Sequence, residues 1–299
     1  MSAGLSLSGF AERQFQGSEV CLNYAEGPAN GPTLLLLHGL SRDWRSFSVL
    51  LPELSRRFRL FAVDLRGHGR SSRVPGGYRM SQFAADISEF VQSEFPAGVS
   101  IFGHSLGAMT GLMTAAKPGC KVNALIVGDS MITPETLRRS LYFPLFRQLR
   151  ELMMRFQSQS ALAAAIGRIV IPVPGLEEPV RIEELPGNAP DVLMEWARCA
   201  LLADPDALAM TIDGTAFEDW EPGKILPQII CPTLLLQANP ELDGMLSDED
   251  VKLALDLLPN GRHVKFPLLG HALFMHQTKP VLDAVMQFLL PISETRTSV

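Results

Sequence analysis

A short apolar run that ends in a glycine-flanked serine constrains this chain more than any other stretch. Residues 99–102 lead into Gly103-His104-Ser105-Leu106-Gly107, and small, helix-tolerant residues follow from position 108 to 116. This order predicts a strand, a sharp turn and a helix, with glycines where the backbone is crowded. A serine so placed lies near a helix N-terminus, which favours developing negative charge. Ser105 is therefore the candidate nucleophile, and the alternative is a glycine-rich turn with an incidental serine.

The same alternation of an apolar strand with an amphipathic helix recurs along the chain. Further buried strands are predicted at residues 33–37, 59–63, 124–127, 232–236 and 263–266. Runs that are apolar on both faces are typical of parallel strands covered by helices on either side. Two weakly alternating stretches, 8–16 and 19–24, predict antiparallel strands at the start of the sheet. The fold class is α/β with a mostly parallel sheet.

The alternation of strands and helices stops between residues 131 and 219, where no strong strand signal is present and the pattern is mostly helical. We interpret this segment as a helical cap, and residues 1–130 and 220–299 as one core domain. The insertion begins where a strand ends, and ligands of open α/β sheets bind at the carboxyl ends of the strands. The cap is therefore expected to cover the site.

Charge, cysteine usage and hydropathy exclude several classes of partner. The formal net charge is −6, whereas nucleic-acid binding requires clustered Lys and Arg. The four cysteines are widely separated without a CxxC pair, which favours reduced thiols in the cytoplasm over disulfides or a metal site. No signal peptide and no membrane-spanning run are visible. We expect no cofactor, no metal and no membrane insertion, and the state stays open between monomer and homo-oligomer.

A serine nucleophile needs a base, and His271 is the best placed of the six histidines. It follows the last predicted strand in Leu269-Gly270-His271, where the glycine allows a tight loop to turn the ring inward. The alternative for His271 is a solvated loop histidine. His104 is adjacent to Ser105 but points elsewhere on the turn, so we expect it to be structural.

The acid that orients the imidazole has more than one candidate. Asp129 ends the strand that precedes the insertion, and a strand end fixes a carboxylate better than a longer loop does. Glu241 is the second choice and Asp243 the third, both in the loop after residue 236. The alternative for Asp129 is a cap of the first helix of the insertion.

The oxyanion and the substrate require further groups. The backbone N–H of Leu106 and that of Leu40 are expected to form the oxyanion hole. His38, Ser41, Met131 and Trp196 are the candidates for substrate binding; Trp44 and Trp220 are weaker ones. The Met-rich insertion favours a hydrophobic or medium-sized ester over a charged one, since Met adapts to irregular apolar ligands, although such a stripe is also ordinary core.

Four motifs together resemble those of the α/β-hydrolase superfamily. They are Leu37-His38-Gly39, the loop Asp64-Leu65-Arg66-Gly67-His68-Gly69-Arg70-Ser71, the Gly103–Gly107 turn and Gly270-His271. The resemblance covers nearly the whole chain outside the insertion. It implies an α/β-hydrolase fold with an eight-stranded sheet and a helical cap inserted after the sixth strand.

One stretch departs from the superfamily's pattern. Relatives commonly carry Gly-x-x-Asp after the strand that ends near residue 236, and this chain has Gln237-Ala238-Asn239-Pro240 there. Some relatives have the acid one strand earlier, at the position of Asp129. The departure therefore favours Asp129 over Glu241.

A serine at the turn narrows the chemistry, because relatives that open epoxides or remove halide use aspartate there. The sequence predicts a serine hydrolase that cleaves a carboxylic ester of a small to medium, largely apolar substrate through an acyl-enzyme. A lactonase or C–C hydrolase with the same residues is the first alternative. The second is a non-catalytic ligand-binding receptor, because a fold alone does not prove catalysis.

Overall fold

A single twisted sheet of eight strands organises the chain. The computed structural model describes residues 9–172, 178–185 and 187–297, with side chains except at position 276 and from 293 to 297; the ends of the predicted core domain lie outside these ranges. The strand order is β1-β2-β4-β3-β5-β6-β9-β10. All pairings are parallel except those made by β2. The strands are β1 Ala11–Gln16, β2 Cys21–Glu26, β3 Thr33–Leu37, β4 Arg59–Val63, β5 Val99–His104, β6 Val122–Gly128, β9 Thr233–Ala238 and β10 Gly261–Phe266, with β7 Val170–Ile171 and β8 Val180–Arg181 as a separate small pair.

Helices cover both faces of the sheet and fill the segment between β6 and β9. The helices are α1 Leu51–Leu54, α2 Met80–Glu94, α3 Leu106–Ala116, α4 Pro134–Arg139, α5 Tyr142–Arg155, α6 Gln159–Gly167, α7 Pro190–Leu202, α8 Pro205–Asp213, α9 Pro222–Ile225, α10 Asp248–Leu257, α11 Leu273–His276 and α12 Thr278–Thr297. Short 3₁₀ turns lie at Trp44–Phe47, Ile182–Glu184, Thr215–Phe217 and Leu226–Gln228. In the part of the chain that is described, none of these helices is long and apolar enough to cross a bilayer.

The packing of strand β3 explains why its sequence is apolar at every position. Leu34 and Leu36 pack into the apolar cluster on one face of the sheet, and Leu35 and Leu37 pack into the cluster on the other face. Side chains alternate along a strand, so a strand buried on both faces needs apolar residues at every position. The fold class and the eight-stranded sheet predicted from the sequence are confirmed.

The register of the central strands brings the predicted site residues to one edge. Leu37 of β3 pairs with Gly103 of β5, and Gly103 pairs with Val127 of β6. The loops that follow these strands therefore begin side by side. Helices α4 to α8 follow β6. In the described residues of 131–219, the two-residue strands β7 and β8 are the exceptions to the predicted absence of strong strands, and they are too short to detect from a pattern. We call residues 131–219 the cap segment, and its role as a separate domain remains a proposal.

Candidate active site

Ser105 lies at a strained turn between β5 and α3. Its backbone has φ 53° and ψ −119°, and its N–H donates to the carbonyl of Gly128 at 2.9 Å. The turn tolerates no side chain on either flank, because a Cβ at Gly103 would lie 2.2 Å from the Gly107 carbonyl oxygen and one at Gly107 would lie 2.1 Å from that of Leu37. These contacts are with backbone, which cannot move aside. The glycines thus allow the half-buried serine to project at the edge of the sheet.

His271 and Asp129 form a buried pair beside this turn. The Nδ1 atom of His271 lies 2.7 Å from Oδ2 of Asp129, which is fully buried. The carboxylate also accepts backbone N–H groups from Ala238 at 2.9 Å, Met245 at 2.8 Å and Leu246 at 3.3 Å. Asp129 therefore holds the imidazole with its proton on Nδ1, which leaves Nε2 as a proton acceptor.

The rival carboxylates lie elsewhere. Glu241 is exposed, and within the described ranges its side chain contacts neither ring nitrogen of His271. Asp243 reaches His271 through the main chain, since its Oδ1 accepts the His271 N–H at 2.6 Å. Its Oδ2 accepts the hydroxyl proton of Tyr142 in α5 at 2.9 Å. Asp243, whose φ is 123°, thus ties the histidine loop to the cap segment.

His104 bonds to the loop that carries His271, which agrees with the structural role expected for it. Its Nε2–H donates to the backbone carbonyl of His271 at 2.8 Å, and the two ring centroids are 4.7 Å apart. Burial, reinforced by the positive form of His271, lowers the pKa of His104 to about 3. His104 is therefore neutral at physiological pH and acts as a donor that fixes the loop.

Two backbone N–H groups beside the turn are the candidates for an oxyanion hole. Leu106 is the first residue of α3, so its N–H has no acceptor within the helix. Leu40 follows Gly39, where a Cβ would come within 3.3 Å of the Ser105 Cβ. Neither N–H donates to a protein group in the ranges described. Both are thus free to stabilise negative charge.

The second glycine-rich motif holds the Leu40 loop in this position. His38 Nε2 accepts the N–H of Leu65 at 3.0 Å, and His68 Nε2 accepts the N–H of Ser41 at 3.1 Å. Asp64 Oδ1 accepts the N–H of Trp44 at 2.9 Å. These bonds compensate for the positive φ of 56° at Ser41.

Among the predicted substrate-binding residues, His38 needs correction. His38 is fully buried and its Nδ1–H donates to the Gly39 carbonyl at 2.7 Å, so both ring nitrogens are occupied and it cannot bind substrate. Ser41 and Met131 are buried, with 2% and 5% of their surface exposed. Trp196 is half-buried in α7. The weaker candidates are core residues, since Trp44 is buried and the Trp220 indole donates to the carbonyl of residue 132 at 2.7 Å.

One cluster has the donor types of a metal site. Asp43, Glu195 and Cys199 lie within 4.8 Å of one another. The Arg198 guanidinium already occupies their centre, at 2.6 Å from both Asp43 and Glu195. Burial, together with Asp43, raises the pKa of the Cys199 thiol to about 12, so it stays protonated and is a poor ligand. The cluster is therefore best described as an ion-pair network.

The buried histidines make stability depend on pH. Burial lowers the pKa of His68 and of His104 to about 3, whereas an unfolded chain has histidines near 6.5. Between these values the unfolded state binds more protons, so the free energy of unfolding falls as pH falls from 6.5 towards 3. We expect a loss of about 2 kcal/mol between pH 6 and pH 5, measured by urea unfolding. His68→Gln should lower this slope by about one proton, and an equal slope in both proteins would contradict the account.

Comparison with known proteins agrees with the geometry. The chain matches the model of the alpha/beta hydrolase family over residues 34–284. It therefore belongs to the alpha/beta hydrolase family. The match extends over β3 to α12, which includes every residue of the candidate site.

The individual proteins that match this chain have low sequence identity to it. The chain is 33% identical to a 2-(acetamidomethylene)succinate hydrolase of Mesorhizobium japonicum over 129 residues, which span 43% of this chain but only 46% of that protein. It is 25% identical to a bifunctional esterase/perhydrolase of Acinetobacter calcoaceticus over 88% of this chain and 93% of that one. The structure of a thermophilic esterase from Thermogutta terrifontis superposes with a TM-score of 0.69 and 23% identity, over 95% of this chain and 99% of that one. This last likeness shows the fold alone.

Proposed function

We propose that the protein is a serine hydrolase that cleaves a carboxylic ester of a small to medium substrate with a largely apolar body. The observation that carries the proposal is the buried Asp129–His271 pair at 2.7 Å, beside a strained turn that presents Ser105. The names of the relatives from Mesorhizobium japonicum and Acinetobacter calcoaceticus, a hydrolase and an esterase/perhydrolase, support the same class.

The proposed reaction is acyl transfer to water in two halves. Ser105 Oγ attacks the ester carbon while Nε2 of His271 takes its proton, and the N–H groups of Leu40 and Leu106 stabilise the oxyanion. Collapse breaks the bond to the alcohol oxygen, and His271 returns the proton to that oxygen. Water then attacks the acyl-enzyme with His271 as base, the carboxylic acid leaves, and Ser105 regains its proton.

The cap segment would enclose this reaction. Tyr142 of α5 supports that role, because its ring centroid lies 4.8 Å from that of His271 and its hydroxyl bonds to Asp243. We also propose the cytoplasm as the place of action, since the cysteines at 21, 120, 199 and 231 are all free thiols.

Turnover of p-nitrophenyl acetate, butyrate and octanoate tests the proposal, together with labelling by a fluorophosphonate. We expect saturable hydrolysis of at least one ester, and a stoichiometric label that peptide mapping assigns to Ser105. Protein unfolded in urea is the control, because an unfolded chain lacks the turn and should neither react nor turn over. A label at Ser105 without ester turnover would favour the lactone, C–C hydrolase or receptor alternatives. The absence of both would contradict a serine nucleophile.

A further inference from the structure

Arg42 lies two residues beyond Leu40, and its charge acts on side chains that pack against His271. Its N–H donates to the carbonyl of Gly39 at 3.2 Å, which turns the chain back over the loop beside Ser105. Among smaller contributions to the pKa values of His104 and Tyr142, for which burial is the largest cause, the Arg42 charge lowers both. Since both rings lie against His271, the guanidinium is within electrostatic reach of the candidate triad.

Arg42 is a half-buried residue, and its guanidinium is unpaired among the described residues. It makes no hydrogen bond or ion pair with any described residue. Its sequence neighbour Asp43 pairs instead with Arg198 at 2.6 Å. Asp243 accepts from Tyr142 and from the His271 main chain. The carboxylates of this region are thus engaged with other groups, and the five N–H donors of Arg42 have no acceptor among the residues that the structure describes.

The guanidinium of Arg42 stacks on an aromatic ring, and this contact leaves its N–H donors available. Its guanidinium carbon lies 4.9 Å from the ring centroid of Trp196, in α7 of the cap segment. A guanidinium stacked on an aromatic face keeps the edge of its N–H fork free for a planar acceptor. The Trp196 indole N–H is itself buried and donates to no group in the described part of the chain. The unpaired guanidinium of Arg42 therefore lies against a tryptophan of the cap segment whose own N–H is buried and without a partner among the described residues.

A carboxylate fits these donors better than a doubly charged anion. Guanidinium and carboxylate match in a planar, bidentate geometry. Among the described residues of this region Arg42 is the cation without an ionic partner, because Arg198 already pairs with Asp43 and Glu195. The carboxylates of Asp129 and Asp243 both act on the Tyr142 hydroxyl nearby. A dianion such as a phosphate monoester would meet their repulsion, whereas a monoanion balances the single positive charge.

We propose that Arg42 binds a carboxylate of the substrate, so that this site takes esters whose acyl chain carries an acidic end. The inference rests on the proposed function and changes the substrate expected from composition, since an apolar body would carry one anionic group. The probes are mono-p-nitrophenyl succinate, glutarate and adipate. Each is compared with a neutral p-nitrophenyl alkanoate of similar length.

The variants are Arg42→Gln and Arg42→Lys, with Arg45→Gln as the matched control. Arg45 also stacks on a tryptophan, Trp44, at 4.5 Å, but it is paired with Glu12 at 2.5 Å. We expect wild type to prefer one acidic probe to its neutral counterpart. Arg42→Gln should lower kcat/KM for that probe by about 10- to 100-fold, mainly through KM, because a hydrogen bond to a charged group is lost. Neutral probes and Arg45→Gln should change by less than about threefold, and Arg42→Lys should keep part of the preference.

The outcomes separate this inference from the proposed function. If Arg42→Gln lowers kcat/KM equally for acidic and neutral probes, the arginine only stabilises the position of the cap segment through Trp196, and the inference is overturned. Hydrolysis of neutral esters with no preference for acidic ones would also overturn it while the proposed function stands. If no ester is turned over, the proposed function fails. Calorimetric binding of monomethyl glutarate to wild type, lost in Arg42→Gln, would still support the anion site, and absence of binding would contradict it.

Discussion

Replacing Ser105 with alanine is expected to lower kcat for ester hydrolysis by about 10⁶-fold, because the reaction loses its nucleophile and His271 has no proton to accept. The change removes one half-buried oxygen and keeps a Cβ, so the turn with φ 53° is strained in both proteins. The measurement is single-turnover and steady-state hydrolysis of the best p-nitrophenyl ester, with thermal unfolding to compare the folds.

Ser100→Ala is the matched control for this experiment. Ser100 lies in β5, the strand that leads to the turn, and it is also half-buried. It should keep nearly full activity. If Ser105→Ala keeps more than about a tenth of the wild-type rate, a reduction far smaller than the loss of a nucleophile produces, then another group attacks the ester and the proposed mechanism is wrong.

The sequence was sufficient to predict that the candidate site residues which follow directly from strand ends lie close together. Ser105 and Asp129 come immediately after β5 and β6, and the pairing of these strands brings the two residues to the same edge. His271 follows the last strand after a short loop. Because parallel strands align their carboxyl ends, position along the chain was enough to bring these residues together.

Other features depend on contacts that no local pattern encodes. His38 stands at a strand end like a site residue, but its ring turns inward to hold the N–H of Leu65. Asp243 bonds to Tyr142, which is 101 positions away in the cap segment. The role proposed for Arg42 has no signal in the sequence, because it depends on the neighbouring carboxylates being bonded to other groups. A motif shows which residues are near the site, but hydrogen-bond partners decide which of them face it.

These contacts also connect the cap segment to the candidate catalytic histidine. The His271 main chain is held through its N–H by Asp243 and through its carbonyl by His104. Asp243 in turn receives the Tyr142 hydroxyl from α5. A displacement of α5 would therefore change a bond of the loop that carries the candidate base, and it would also move the Tyr142 ring that lies 4.8 Å from the His271 ring. The position of the cap segment and the orientation of the histidine are thus coupled.

Asp129→Asn is expected to lower kcat/KM by about 10⁴-fold while the fold is kept. The two oxygens of Asp129 accept three backbone N–H groups as well as the His271 ring, and an amide has only one oxygen for them. An Asn oxygen turned towards residues 238 and 246 directs its NH₂ group at His271. The ring must then accept at Nδ1 and carry its proton on Nε2, where it cannot take the proton of Ser105.

Two variants make this result specific to the Asp129–His271 pair. Glu241→Gln should change kcat/KM by less than about twofold, because an exposed side chain without a hydrogen-bond partner among the described residues contributes little. Asp250→Asn removes another buried carboxylate, which accepts the N–H groups of Ile132 and Thr133 but does not touch His271. It should lower the melting temperature with a far smaller effect on kcat/KM. A large loss in Glu241→Gln with a small one in Asp129→Asn would move the acid to the loop after β9, and the orientation of the imidazole would then have to change on substrate binding.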